Sequence, residues 1–186
     1  MAFPYSSGDV LTAADLNQSS GLVLVSSTAV GSSLSTVDIT NVFNSTFDNY
    51  KIIYSNYTSS AANAGIRMRL RTGTVDSSSN YYWAGWTVRY TSTSSGFDRS
   101  GGASTFFDMG SSDVTASALS FELYSPNLSA FTLFSTQPTA ASSTDQYVIQ
   151  RAGVFRTTTQ FTGFQLFANV GTLSGGTMRV YGYNNG

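Results

Sequence analysis

The sequence predicts an all-β fold, an antiparallel two-sheet sandwich of jelly-roll-like form, on three observations. Strand-forming residues dominate: 13 Phe, 11 Tyr and 2 Trp stand among about 54 Ser and Thr in 186 residues. From Gly21 onward the apolar residues recur with period two. Turn clusters rather than helices separate the alternating stretches, so no crossover helix is available for parallel pairing.

The clearest alternation is Ile66-Arg67-Met68-Arg69-Leu70-Arg71, which places three apolar residues on one face and three arginines on the other. Leu119-Ser120-Phe121-Glu122-Leu123-Tyr124 alternates likewise. Further strands are expected near 22–27, 50–57, 82–90, 129–135, 146–156, 161–168 and 176–183, with a weaker one near 103–108. Asp76 to Asn80, Ser92 to Gly96 and Gly175-Gly176 supply turns. The expected core is Ile66, Met68, Leu70, Leu119, Phe121, Leu123, Phe164, Leu166, Met178 and Val180. A one-residue slip of register would turn each of them outward.

Residues 1 to about 20 read as a separate attachment segment, with 21–186 as the sandwich domain. Thr12-Ala13-Ala14-Asp15 has capping-box spacing. It would open one or two helical turns through Leu16, Asn17 and Gln18, with Gly21 as a left-handed cap. Val10, Leu11 and Leu16 offer too little apolar area to fold alone, so they are the candidate attachment contacts.

Composition narrows the chemistry. Only 10% of residues are charged and the net charge is −1, against about 25% charged in ordinary domains. With one lysine, Lys51, and no basic run, nucleic acid is not an expected partner. Cysteine is absent, which removes disulfides and thiolate sites. Histidine is absent too, removing the usual triads and imidazole ligands. The start, MAFPYSSGDV, lacks the basic and apolar regions of a secretion signal. No run approaches the ~20 apolar residues of a membrane helix. The chain is therefore expected to be soluble and made in a cytoplasm.

No phosphate-loop, dinucleotide, zinc-protease or EF-hand spacing occurs, and no cofactor is expected. The strongest enzymatic idea is glycoside hydrolysis by two carboxylates. It would rest on Glu122, the single glutamate, and one of nine aspartates without motif context. An outward strand carboxylate is ordinarily just solvated, so the chain reads as a non-enzyme.

Two groups remain as candidate ligand or interface contacts. Arg67, Arg69 and Arg71 stand about 7 Å apart along one strand face. They suit an anionic sugar or carboxylate-rich partner, or else an ordinary exposed face paired across strands or between subunits. Tyr81, Tyr82 and Trp83, with Trp86 nearby, suit a sugar platform or an interface. Alternation sends Trp83 and Gly85 one way and Tyr82, Ala84 and Trp86 the other, so at least one tryptophan is expected in the core.

Ser7 to Asn17, SGDVLTAADLN, resembles the opening segment of many phage tail-fibre and particle-appendage proteins. The framework Phe43…Phe47-Asp48-Asn49-Tyr50-Lys51-Ile52-Ile53, Tyr81-Tyr82-Trp83, Phe161-Thr162-Gly163-Phe164 and Gly176 to Tyr183 is similar to small structural proteins of phages, many from marine and cyanobacterial hosts. The resemblance implies a virion protein, a β-sandwich assembled as a homotrimer and contacting other virion proteins. It implies a tail fibre, tail-tip or adaptor engaging a host surface glycan or receptor, or alternatively a decoration or fibre on the head. A free carbohydrate-binding module is the reading from another class. Lacking heptads or a repeating shaft, the chain would form a short appendage or one block of a larger one.

Overall fold

The computed structural model describes residues 21–89, 95–141 and 146–185. The expected helical turns and the attachment contacts Val10, Leu11 and Leu16 lie outside these residues. Fourteen strands are present among the described residues: β1 (Leu22–Ala29), β2 (Thr36–Ile39), β3 (Asn49–Ser59), β4 (Ala64–Thr72), β5 (Thr74–Val75), β6 (Tyr81–Arg89) and β7 (Ser95–Arg99), then β8 (Phe107–Ser112), β9 (Ser117–Tyr124), β10 (Thr132–Ala141), β11 (Gln146–Phe155), β12 (Gly163–Ala168), β13 (Leu173–Ser174) and β14 (Thr177–Tyr183).

All pairing between these strands is antiparallel, in two sheets. Eight strands pair as nested hairpins: β1 with β14, β2 with β12, β3 with β9 and β4 with β8. The nest is rolled so that one sheet runs β1-β14-β3-β9 and the other has β2-β12-β4 with β8 at its edge. This is the winding of a jelly roll. Two hairpins interrupt it. β6–β7 leaves between β4 and β8, and β10–β11 leaves between β9 and β12. Both join the first sheet beyond β9, extending it as β9-β10-β11-β6-β7.

Period-two patterning makes the roll work, because every apolar face must turn inward together. The ten residues expected in the core are at most 2% exposed. Phe121 of β9 meets Phe164 of β12 edge to face, with centroids 5.7 Å apart, and so joins the two sheets. Each fully buried side chain of this kind contributes about 1.5–3 kcal/mol by leaving water. Tyr50 shows how buried polar tips are satisfied: its hydroxyl accepts the Asn44 N–H at 2.8 Å and donates to the Asn44 carbonyl at 3.0 Å. At the sheet margin Phe47 lies flat on β14 at Gly182, where a Cβ would stand 2.2 Å from the ring.

The extension is closed from within by β8 and its neighbours. Tyr81 packs edge-on to Phe107 and Phe155 at 4.8 and 4.7 Å, and Phe107 lies 4.2 Å from Phe134. Farther along, the same inner face carries Arg151, which is 6% exposed. Its guanidinium reaches Asp98 at 2.8 Å and Asp108 at 3.5 Å, and donates to the Trp86 carbonyl at 3.2 Å. Its stem runs over Gly85, where a Cβ would meet the Gln150 carbonyl oxygen at 1.9 Å. An arginine thereby ties β11 to β6, β7 and β8.

Candidate functional site

Alternation gives the extension an outward face as well, and there the side chains form a trough. Register places Ser135, Ala152, Ala84 and Arg99 in one row across β10, β11, β6 and β7. The two alanines make a low floor. Tyr82 and Trp86 rise on either side of Ala84, about 13 Å apart along β6. Phe97 stands opposite Trp86 on β7. Phe97 is 91% exposed and Trp86 36%, unusual for rings of this size on a surface. The trough comprises two adjoining depressions of about 410 and 480 Å³, both lined by Ala84 and Arg99. Tyr82 borders the first, and Trp86 and Phe97 the second.

Charge at the trough is arranged from both sides. Arg156 places its guanidinium 4.9 Å over the Tyr82 ring. Asp98 reaches the second depression but is engaged from beneath by Arg151. This surface can stack aromatic faces on a ring-shaped ligand and offer the Arg99 guanidinium to an acceptor.

The aromatic cluster read from sequence is therefore divided by the sheet. Tyr82 belongs to the trough. Trp83 turns inward, packs against the core and lies 5.6 Å from the Arg151 guanidinium. Tyr81 is fully buried, and its hydroxyl accepts the Leu70 N–H and donates to the Asp76 carbonyl, each at 3.0 Å. Burial pushes the Tyr81 phenol above its ordinary range. It is a core residue with its polar tip already satisfied, not a surface contact.

Arg67, Arg69 and Arg71 share the outward face of the smaller sheet, which the fold separates from the trough. Arg71 donates to Asp38 at 2.5 Å and to the Gly73 carbonyl at 2.7 Å. Arg69 donates through Nε to the Thr105 carbonyl at 3.0 Å, and its guanidinium stands 4.7 Å over Phe167. The Arg67 guanidinium stands 4.1 Å over Phe106.

A third arrangement centres on Glu122. Its carboxylate accepts a hydrogen bond from Tyr183 at 2.6 Å and another from Tyr124, with Lys51 at 4.0 Å. The hydroxyls of Tyr124 and Tyr183 hold the carboxyl below its usual range. Tyr183 is pushed up to about 12, first by burial and then by its bond to Glu122. Glu122 thus stays ionised and is tied into the sheet face rather than freely solvated.

Sequence reasoning missed Phe97 and Arg99 because SGFDR is too short and too rich in turn formers to read as a strand. A faint signal existed in two Ala-Gly pairs, Ala84-Gly85 and Ala152-Gly153, which lie on adjacent strands. Among the described residues, no three acidic side chains gather to hold a metal. No protein-family model and no curated protein matches this sequence.

Proposed function

We propose that this chain is a non-enzymatic structural and adhesive component of a bacteriophage particle, of the tail-fibre, tail-tip or adaptor kind. In this reading residues 1 to about 20 dock to the particle. The sandwich points outward and meets a host surface glycan through the trough. The observation that supports it best is the trough itself: three partly or wholly exposed rings around an alanine floor. The SGDVLTAADLN segment supports the virion part.

The reading includes a homotrimer. The β1 end of the large sheet carries exposed apolar side chains, Leu22 and Leu24. Residues 22–29 contain no charge to guard that edge against pairing. Contact between subunits would cover such surface.

Three experiments test the proposal. Immunogold electron microscopy of particles should place the chain on the tail; label on the capsid would move it to the head, and no label would end the virion reading. Titration of the purified chain with neutral oligosaccharides should quench tryptophan fluorescence. The loss of that response in Trp86→Ala is expected, while an unchanged response would remove the trough from the site. Light scattering should give the mass of three chains, and a monomer at micromolar concentration would refute the assembly.

A further inference from the structure

We infer that Arg67 and Arg69, backed by Phe106 and Phe167, form a second binding site, one selective for a carboxylate-bearing sugar. The inference rests on the host-attachment reading for where such a sugar is met, and on the small sheet's own geometry for the chemistry.

Charge accounting separates the three arginines of β4. Arg71 is spent on Asp38, which also accepts from Gln165 at 3.1 Å and Thr36 at 3.3 Å. Asp108, the register partner of Arg67, feels the Arg67 charge, but its carboxylate accepts the Gly110 N–H at 3.1 Å and lies nearer Arg151, at 3.5 Å. Neither Arg67 nor Arg69 has a carboxylate within ion-pair distance among the described residues. Two guanidinium groups without a close ion pair thus lie on one face of a chain whose net charge is −1.

The aromatic rings hold these groups in place. Phe106 and Phe167 meet edge to face at 6.3 Å, and each carries one guanidinium over its ring. Stacking fixes a planar guanidinium while leaving its edge donors free, the geometry that suits a carboxylate. Arg69 spends only its Nε. The Arg67 Nε is buried, so any contact with a ligand falls to its terminal nitrogens. The arginines stand about 7 Å apart along the strand, comparable to one sugar ring. A uronic-acid residue could set its apolar face against the half-buried phenyl edges and its carboxylate between the guanidinium groups.

The test uses the full purified chain with trigalacturonate as probe, and neutral galactotriose and inorganic sulfate as comparisons. Calorimetry should show trigalacturonate binding that weakens with added salt, with galactotriose at least about tenfold weaker. In Arg67→Gln/Arg69→Gln the affinity should fall about tenfold or more, consistent with losing charge-assisted hydrogen bonds. Arg71→Gln should leave affinity unchanged. The arginine Nε–H resonances of the unaltered chain supply a readout that needs no variant: those of Arg67 and Arg69 should shift with trigalacturonate and that of Arg71 should not. The inference is overturned by absence of binding, by equal affinity in the double variant, or by sulfate competing as well as trigalacturonate. Immunogold labelling is independent of all these outcomes, so this site and the virion reading can fail separately.

Discussion

In the eight-strand roll the space between the sheets is filled by hydrocarbon, whereas under the four-strand extension the aromatic packing gives way at one end to a charge. Ile52, Phe121, Phe164 and Val180 belong to a continuous apolar cluster. Beneath β6, β10 and β11 the packing runs from Tyr81 and Phe134 into Thr136, Arg151 and Asp108. The Arg151 N–H donates to the Thr136 hydroxyl at 2.9 Å. An apolar interior is forgiving of small shifts in direction, but a guanidinium serving Asp98, Asp108 and a backbone carbonyl is not. One sheet thus contains two kinds of cohesion. This also explains how the trough is held: the chain beneath Trp86 is fixed by hydrogen bonds rather than by packing alone.

Removing Phe121 should have the largest effect. Phe121→Ala should cost about 3–5 kcal/mol in denaturant melts, with all strands losing cooperativity together. A loss below about 1 kcal/mol would deny that the roll is held by its core. Arg151→Met comes next, at about 1–3 kcal/mol, because it removes the cation nearest to the buried Asp108 carboxylate. Hydrogen exchange should then open the amides of β6 and β7 while β3, β9 and β14 keep their protection. Uniform loss of protection would break the distinction between the two regions.

The smallest effects are in pH dependence, and they have opposite signs. Hydroxyl donors lower the Glu122 carboxyl, so its contribution is present above the ordinary value of 4.5 and is lost as pH falls through the lowered one. Burial raises the Asp108 carboxyl despite Arg151. Its contribution is therefore fullest below the ordinary 3.8 and is lost as pH rises through the raised value. Thermal melts should show Glu122→Gln flattening the acid-side loss of stability. Asp108→Asn should steepen that loss relative to the unaltered chain. Changes of the same sign in both variants would show that one of the two environments is misjudged.

Much of the roll was legible in the sequence because a half-buried strand announces itself by alternation. Ile66 to Arg71 and Leu119 to Tyr124 fix both the strand and its buried face. Thr36–Ile39 escaped because four residues carry too short a pattern, and Ser95–Arg99 because its Ser and Gly resemble a turn. The same alternation separates Trp83 from Tyr82 and Trp86, but it does not say which of the two faces turns inward. Partners across strands are a different matter. Neither the union of Arg151 with Asp98, 53 positions away, nor that of Tyr183 with Glu122 leaves a local mark. Tyr81 was misplaced because a tyrosine at the start of a strand looks the same whether its hydroxyl meets water or a backbone carbonyl.

The nested pairing also sets a timetable. Among the described strands β1 pairs only with β14, so its first partner residue is Thr177 and its last is Tyr183. During synthesis the apolar edge from Leu22 to Ala29 must wait until nearly the whole sandwich has left the ribosome. Pairings so distant in sequence form slowly. Throughout that delay the β14 of another nascent chain is as good a partner as its own. Assembly on a polysome, where sister chains emerge side by side, is thus the moment at which strands could be exchanged between subunits.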